Sequence, residues 1–142
     1  MNCDLFKAVE ILNKEQCTCV LCRGDDSFIS EKRGVKPLLE WLDSGINFKG
    51  GSAADKVVGN AAAFLYVLLG VSEVYAGVIS EAAINTLTEN GIEIQYASAV
   101  KYIINRSGDG KCPMEASVEG ITDPVEALCA VRQKMKELSG KK

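Results

Sequence analysis

Residues 72–97 read SEVYAGVISEAAINTLTENGIEIQYA, and the fold turns on how many periodicities this stretch contains. Val74, Ala76 and Val78 alternate with Tyr75, Gly77 and Ile79, which predicts a strand over 72–79. Ser80 then suits a helix N-cap, because its hydroxyl accepts from a backbone N–H that has no partner inside the helix. EAAINTLTEN follows as a helix over 81–90, and Gly91 stops it. IEIQYA is a second strand over 92–97. Two strands joined by one crossover helix form a βαβ unit, so they run parallel in one sheet.

On the N-terminal side, residues 4–14 place Leu5, Val9 and Leu12 with Phe6 on one helical face. CTCVLCRGDDSFISEK then reads as a β-hairpin around the turn residues GDDS. GVKPLLEWLDSG is a short helix whose proline falls in the first turn, where a missing N–H costs nothing. INFKGGS predicts a short strand ending in a Gly-Gly turn. Ser52 and Asp55 make an S-x-x-D capping box, so a helix is expected from there to about Leu69, stopped by Gly70. That segment is apolar nearly all round, which predicts burial on most sides.

On the C-terminal side, SAVKYIINR is short and apolar and suits a single helical turn. NRSGDGK is a polar loop, and CPMEASVEG starts a helix. Asp123-Pro124 with Glu126 forms a second capping box opening a last helix, PVEALCAVRQKMKEL. No repeat or linker interrupts residues 1–142, which predicts a single domain. Strands alternating with helices, plus one hairpin, imply a three-layer α/β/α sandwich with a mixed sheet.

The composition removes several function classes. A net charge of −3 and scattered lysines leave no basic footprint for nucleic acid. The most apolar run, Val57 to Leu69, is broken by Asn60 and falls short of the roughly 20 residues a membrane helix needs. The opening MNCDLFKAVEIL lacks a long apolar core and a small-residue cleavage site, so no signal peptide is expected. Six cysteines without such a signal suggest free thiols in a reducing cytoplasm. The chain has no histidine, which excludes Ser-His and Cys-His couples and every imidazole zinc site within one chain.

The stretches GGSAADKVVGNAAA, EVYAGVISE, YIINRSGDGKCPME and DPVEAL resemble an uncharacterised prokaryotic family of unknown function, assigned a cytidine-deaminase-like fold. The resemblance spans most of the chain from residue 34 onward. It implies a hairpin, a helix, and then strand-helix-strand-helix. In zinc deaminases of that fold, one helix start carries H-x-E or C-x-E and another carries P-C-x-x-C. Here the corresponding stretches are GGSAADK and VISEAA, and neither holds a zinc ligand. Zinc-dependent deamination is therefore not expected, and neither metal nor cofactor is predicted.

The two expected helix starts still converge at the carboxyl ends of parallel strands, where open α/β sheets bind ligands. Helix N-termini offer free N–H groups and the positive end of a dipole. Gly50, Gly51 and Ser52, with Ser80 and Glu81, therefore form a candidate site for a small anionic or nucleotide-like ligand. An ordinary turn with two caps is the competing reading. Asn105 and Arg106 in the NRSGDGK loop join the candidate binding set.

Cys112 precedes Pro113, so it stands at a helix start beside Lys111, with Glu115 placed to cap. That setting lowers a thiol's pKa, although free cysteine is also among the most buried residue types. Cys112, with Asp55 and Lys56 as acid–base helpers, is the candidate catalytic set. Cys17, Cys19 and Cys22 spell C-x-C-x-x-C, but a strand would put the first two on one face and the third on the other. Three functions follow: a small-molecule binding protein, a metal-independent enzyme using Cys112, or an assembly module that forms a homodimer through an edge strand.

Overall fold

Glycine at position 24 sets the first supersecondary unit. Strands β1 (Cys19–Arg23) and β2 (Asp26–Ser30) pair antiparallel, with Arg23 opposite Asp26 across the two-residue turn Gly24-Asp25. Gly24 has φ +58°, and a positive φ at the first central position of such a turn suits glycine best. The computed structural model describes residues 3–14, 16–32, 35–46, 48–104 and 112–140.

The other elements are α1 (Cys3–Lys14), α2 (Lys36–Asp43), β3 (Ser52–Val58), α3 (Asn60–Leu69), β4 (Glu73–Ser80), α4 (Glu81–Glu89), β5 (Glu93–Val100), α5 (Pro113–Ser117) and α6 (Pro124–Gly140). The strands form one sheet in the order β2-β1-β3-β4-β5. β3, β4 and β5 are mutually parallel, while β1 is antiparallel to both of its neighbours. The expected βαβ unit and mixed sheet are both present.

Helices cover both faces, which makes the three layers. On one face α1 buries Ala8 and Leu12 against Val20, Cys22 and Ala54. On the other, Phe64 and Leu65 of α3 join Leu21, Leu38, Ala53, Val74, Ala127 and Val131 in the larger core. α3 packs against α4 and α6, so it is buried on most sides, as its all-round apolar sequence requires. Asp123 caps α6, its carboxylate accepting from the N–H of Glu126 at 3.2 Å. Among the described residues, no helix is long and apolar enough to cross a membrane.

Residues 52–58 correct the reading of the sequence. They form a central strand rather than the start of a helix. β1 pairs with it on one side and β4 on the other. Ala53 and Ala54 point into opposite cores, small enough to fit beneath helices on both faces. Alanine favours helix in isolation, but a paired strand buried on both sides overrides that weak preference. Ser52 and Asp55 are therefore no capping box. The helix begins at Asn60, after Gly59 as its N-cap.

The displaced register also changes the preceding segment. Gly51 donates its N–H to the carbonyl of Phe48 at 2.8 Å, so 48–51 is a turn and not the end of a strand. Phe48 is buried and meets Phe28 edge-to-face, ring centroids 5.1 Å apart. β5 runs on to Val100, pairing Ser98 with Val78, where a helical turn was expected. Cys17 lies in the α1-side core with Cys22, while Cys19 lies in the larger core. Strand alternation does not reach back to Cys17, because β1 begins only at Cys19.

Alternation also fails inside β4, since Val74, Ala76 and Ile79 all enter the larger core. The interruption falls at Gly77, where a Cβ would stand 2.7 Å from the backbone carbonyl oxygen of Lys56. That oxygen belongs to a paired strand and cannot swing aside. Gly77→Ala should therefore cost about 1–3 kcal/mol in urea denaturation, the usual cost of overpacking. An unchanged midpoint would show that the two strands separate freely at this level.

Candidate functional site

The carboxyl end of β3 delivers Asp55, Lys56 and Val57 to the wall of a cavity of about 340 Å³. The first turn of α3 adds Gly59, Ala61 and Ala62. Ile103 closes one side, and Cys112, Met114 and Glu115 come from the start of α5. Thr18 and Val35 complete the lining. The wall is mostly apolar with a few polar groups, the usual composition of a small-molecule pocket.

Asp55 is the central polar group. It is buried, and its Oδ2 accepts from the hydroxyl of Tyr66 at 2.7 Å. Its Oδ1 accepts from the N–H of Val57 at 3.3 Å. Tyr66 is fully buried in α3, and its hydroxyl also lies 3.0 Å from the sulfur of Cys19. Burial raises the pKa of Asp55 from the ordinary 3.8 to about 7, with the hydrogen bonds from Tyr66 and Val57 opposing the rise. Burial, together with the Asp55 charge, pushes Tyr66 and Cys19 well above their usual values, so both stay protonated. The result is a carboxyl that exchanges its proton near neutral pH, fixed by a neutral phenol.

A second carboxyl side chain lines the same cavity. Glu115 is buried, and its Oε2 accepts from the N–H of Ile103 at 2.9 Å. Cys112 donates its backbone N–H to the carbonyl of Ile103 at 2.8 Å. Both ends of the 104–111 connection are thus tied together at the cavity. Glu115 was expected to cap its own helix; instead it reaches across to another segment. Its Oε2 would stand 2.9 Å from a Cβ on Gly59, so the glycine makes room for this carboxylate. Cys112 is the N-cap of α5, half-buried, and its thiol makes no capping bond.

Asp55, Lys56 and Cys112 therefore share one cavity, although Asp55 and Lys56 arrive there on a strand end. The other candidates lie elsewhere. Gly50, Gly51 and Ser52 sit at the amino end of β3, where Gly50 donates to the Gly70 carbonyl at 2.9 Å and Gly51 accepts from the N–H of Ser72 at 2.8 Å. They are not at a helix start, which removes the backbone basis for an anion site at GGSAADK. Ser80 caps α4 as expected, accepting from the N–H of Ala83 at 3.2 Å, and Glu81 is exposed. Neither lines the cavity. Asn105, Arg106 and Lys111 lie outside the described residues.

Tyr66, Cys19 and Glu115 were not among the candidates. Tyr66 had a legible signal: a phenol in a largely apolar helix expected to be buried on most sides requires a hydrogen-bond partner. Cys19 and Glu115 had none, because their partners are remote in sequence. Among the described residues, no group of three or more histidine, cysteine, aspartate or glutamate side chains is placed to hold a metal ion.

A family described as a domain of unknown function (DUF1893) matches residues 7–135. The crystal structure of a DUF1893 family protein from Thermotoga maritima superposes with a TM-score of 0.84 at 27% identity, covering 96% of this chain and 92% of that one. A diaminohydroxyphosphoribosylaminopyrimidine deaminase/5-amino-6-(5-phosphoribosylamino)uracil reductase from the same organism gives a TM-score of 0.43 at 11% identity, over 66% of this chain and 35% of that one. The dCMP deaminase of cyanophage S-TIM5 gives 0.44 at 11% identity, over 68% and 94%. No curated protein matches this chain.

Proposed function

This chain belongs to the DUF1893 family, and we propose that it binds a small, mostly apolar molecule bearing a hydrogen-bond donor in the cavity at the carboxyl end of β3. One observation carries the reading: Asp55 is a buried carboxyl, its pKa raised by burial to about 7, on the wall of a mostly apolar pocket. Such a group accepts from a donor when ionised and donates when protonated. Among the described lining residues, Asp55 and Glu115 offset the single ammonium of Lys56. That balance favours a neutral or weakly basic ligand over an anion.

Small neutral and weakly basic nitrogen heterocycles, screened by methyl NMR, test this. Binding should shift Ala61, Ala62, Ile103 and Met114 together. Asp55→Asn should weaken the same compounds about tenfold, the usual effect of losing one charge-assisted hydrogen bond. Compounds that shift methyls elsewhere and never this set would overturn the assignment.

The second reading, a metal-independent enzyme, draws support from Cys112 sharing the cavity with an acid–base group. Under it, iodoacetamide near neutral pH should modify Cys112 ahead of exposed Cys129. A faster reaction at Cys129 would count against it.

A further inference from the structure

β5 is the last strand of the sheet, so among the described residues one of its two edges has no strand beside it. It is an unusual edge to leave open. Its eight residues, EIQYASAV, hold no proline and no charge after Glu93. Six of them are exposed, and Tyr96 is 47% exposed. Edges of this kind pair with another strand unless charges or proline block them, and neither blocks this one along its length. Glu93 donates its N–H inward to the Ser72 carbonyl at 3.1 Å. Strand alternation then turns the backbone groups of Ile94 and Tyr96 toward the open edge.

The charges flanking the strand say what fits there. Glu93 stands at one end, and exposed Lys101 follows the other. In an antiparallel pairing of two β5 strands centred on Ala97, Glu93 of each copy faces Lys101 of the other. Tyr96 then faces Ser98, and the uncharged centre meets itself. A parallel pairing would set like charges side by side instead. The edge is therefore complementary to its own copy under a two-fold axis.

We propose that two copies of this chain join antiparallel through β5, making a continuous ten-stranded sheet with Ala97 on the two-fold axis. The contact is independent of the cavity and of its ligand. Opposite charges facing each other across strands stabilise the pair, and like charges destabilise it. By symmetry, each charge variant alters two such pairs.

Light scattering after size exclusion, over a wide concentration range, should give the wild type twice the 15.2 kDa chain mass. Glu93→Lys and Lys101→Glu should each raise the dimer dissociation constant about tenfold, since each sets two like-charged pairs in place. The double variant, with both charges exchanged, should restore the wild-type constant. Ala97→Lys should place two ammonium groups together on the axis and give a monomer. Circular dichroism confirms that each variant is folded. A wild type that is monomeric throughout, a dimer that neither single charge variant weakens, or a double variant no better than the singles would overturn the proposal.

Discussion

Between pH 3.8 and about 7, the wild-type chain should lose on the order of 4 kcal/mol of folding stability that Asp55→Asn retains. The sign follows from proton binding. In the unfolded chain the carboxyl ionises at its ordinary value, while in the folded chain it holds its proton to about pH 7. Across that window the folded state binds more protons than the unfolded state, so rising pH favours unfolding. Below the window both states are protonated and the contribution is fully present. Above it the buried carboxylate carries its whole desolvation cost. Asparagine cannot ionise, and its carbonyl oxygen can still accept from the Tyr66 hydroxyl. Urea denaturation of both proteins at a series of pH values measures the effect as a difference between them. A constant difference across the window would mean that Asp55 is ionised and solvated in the folded protein.

Tyr66→Phe should raise the midpoint of Asp55 above about 7 and destabilise the fold by about 1–3 kcal/mol, with the larger cost at alkaline pH. The phenol donates to Oδ2 at 2.7 Å and so favours the charged carboxylate. Without it, the buried oxygen has lost its strongest donor, and ionisation becomes harder. Phenylalanine preserves the ring packing in α3, so the loss reports the hydroxyl rather than a cavity. Carbon-13 NMR of the Asp55 carboxyl follows the midpoint directly. A midpoint that falls or stays in place would show that another donor holds the carboxylate.

The cavity was partly legible before the fold was known. The sequence groups Asp55, Lys56 and Cys112, and they do line one cavity. The grouping rested on a helix start at Ser52 that does not exist. It survived because the carboxyl end of a strand and the amino end of the following helix occupy the same end of an α/β layer. Gly50, Gly51 and Ser52 did not survive, because moving the strand into 52–58 carries them to the opposite end of the sheet. Ser80 keeps its predicted cap, since a cap depends only on residues within one turn.

Local chemistry alone determined the hairpin at Gly24, the parallel unit across 72–97, the caps at Ser80 and Asp123, and the exclusion of histidine chemistry. Each depends on neighbours a few residues apart. Tertiary structure decided that SAADKVV is a strand, that Gly77 must lack a side chain, and that Tyr66 and Cys19 surround Asp55. Alanine by itself favours helix, so only pairing with β1 and β4, partners distant in sequence, makes this segment a strand. The proton on Asp55 is likewise set by burial, a property that only the packed chain possesses.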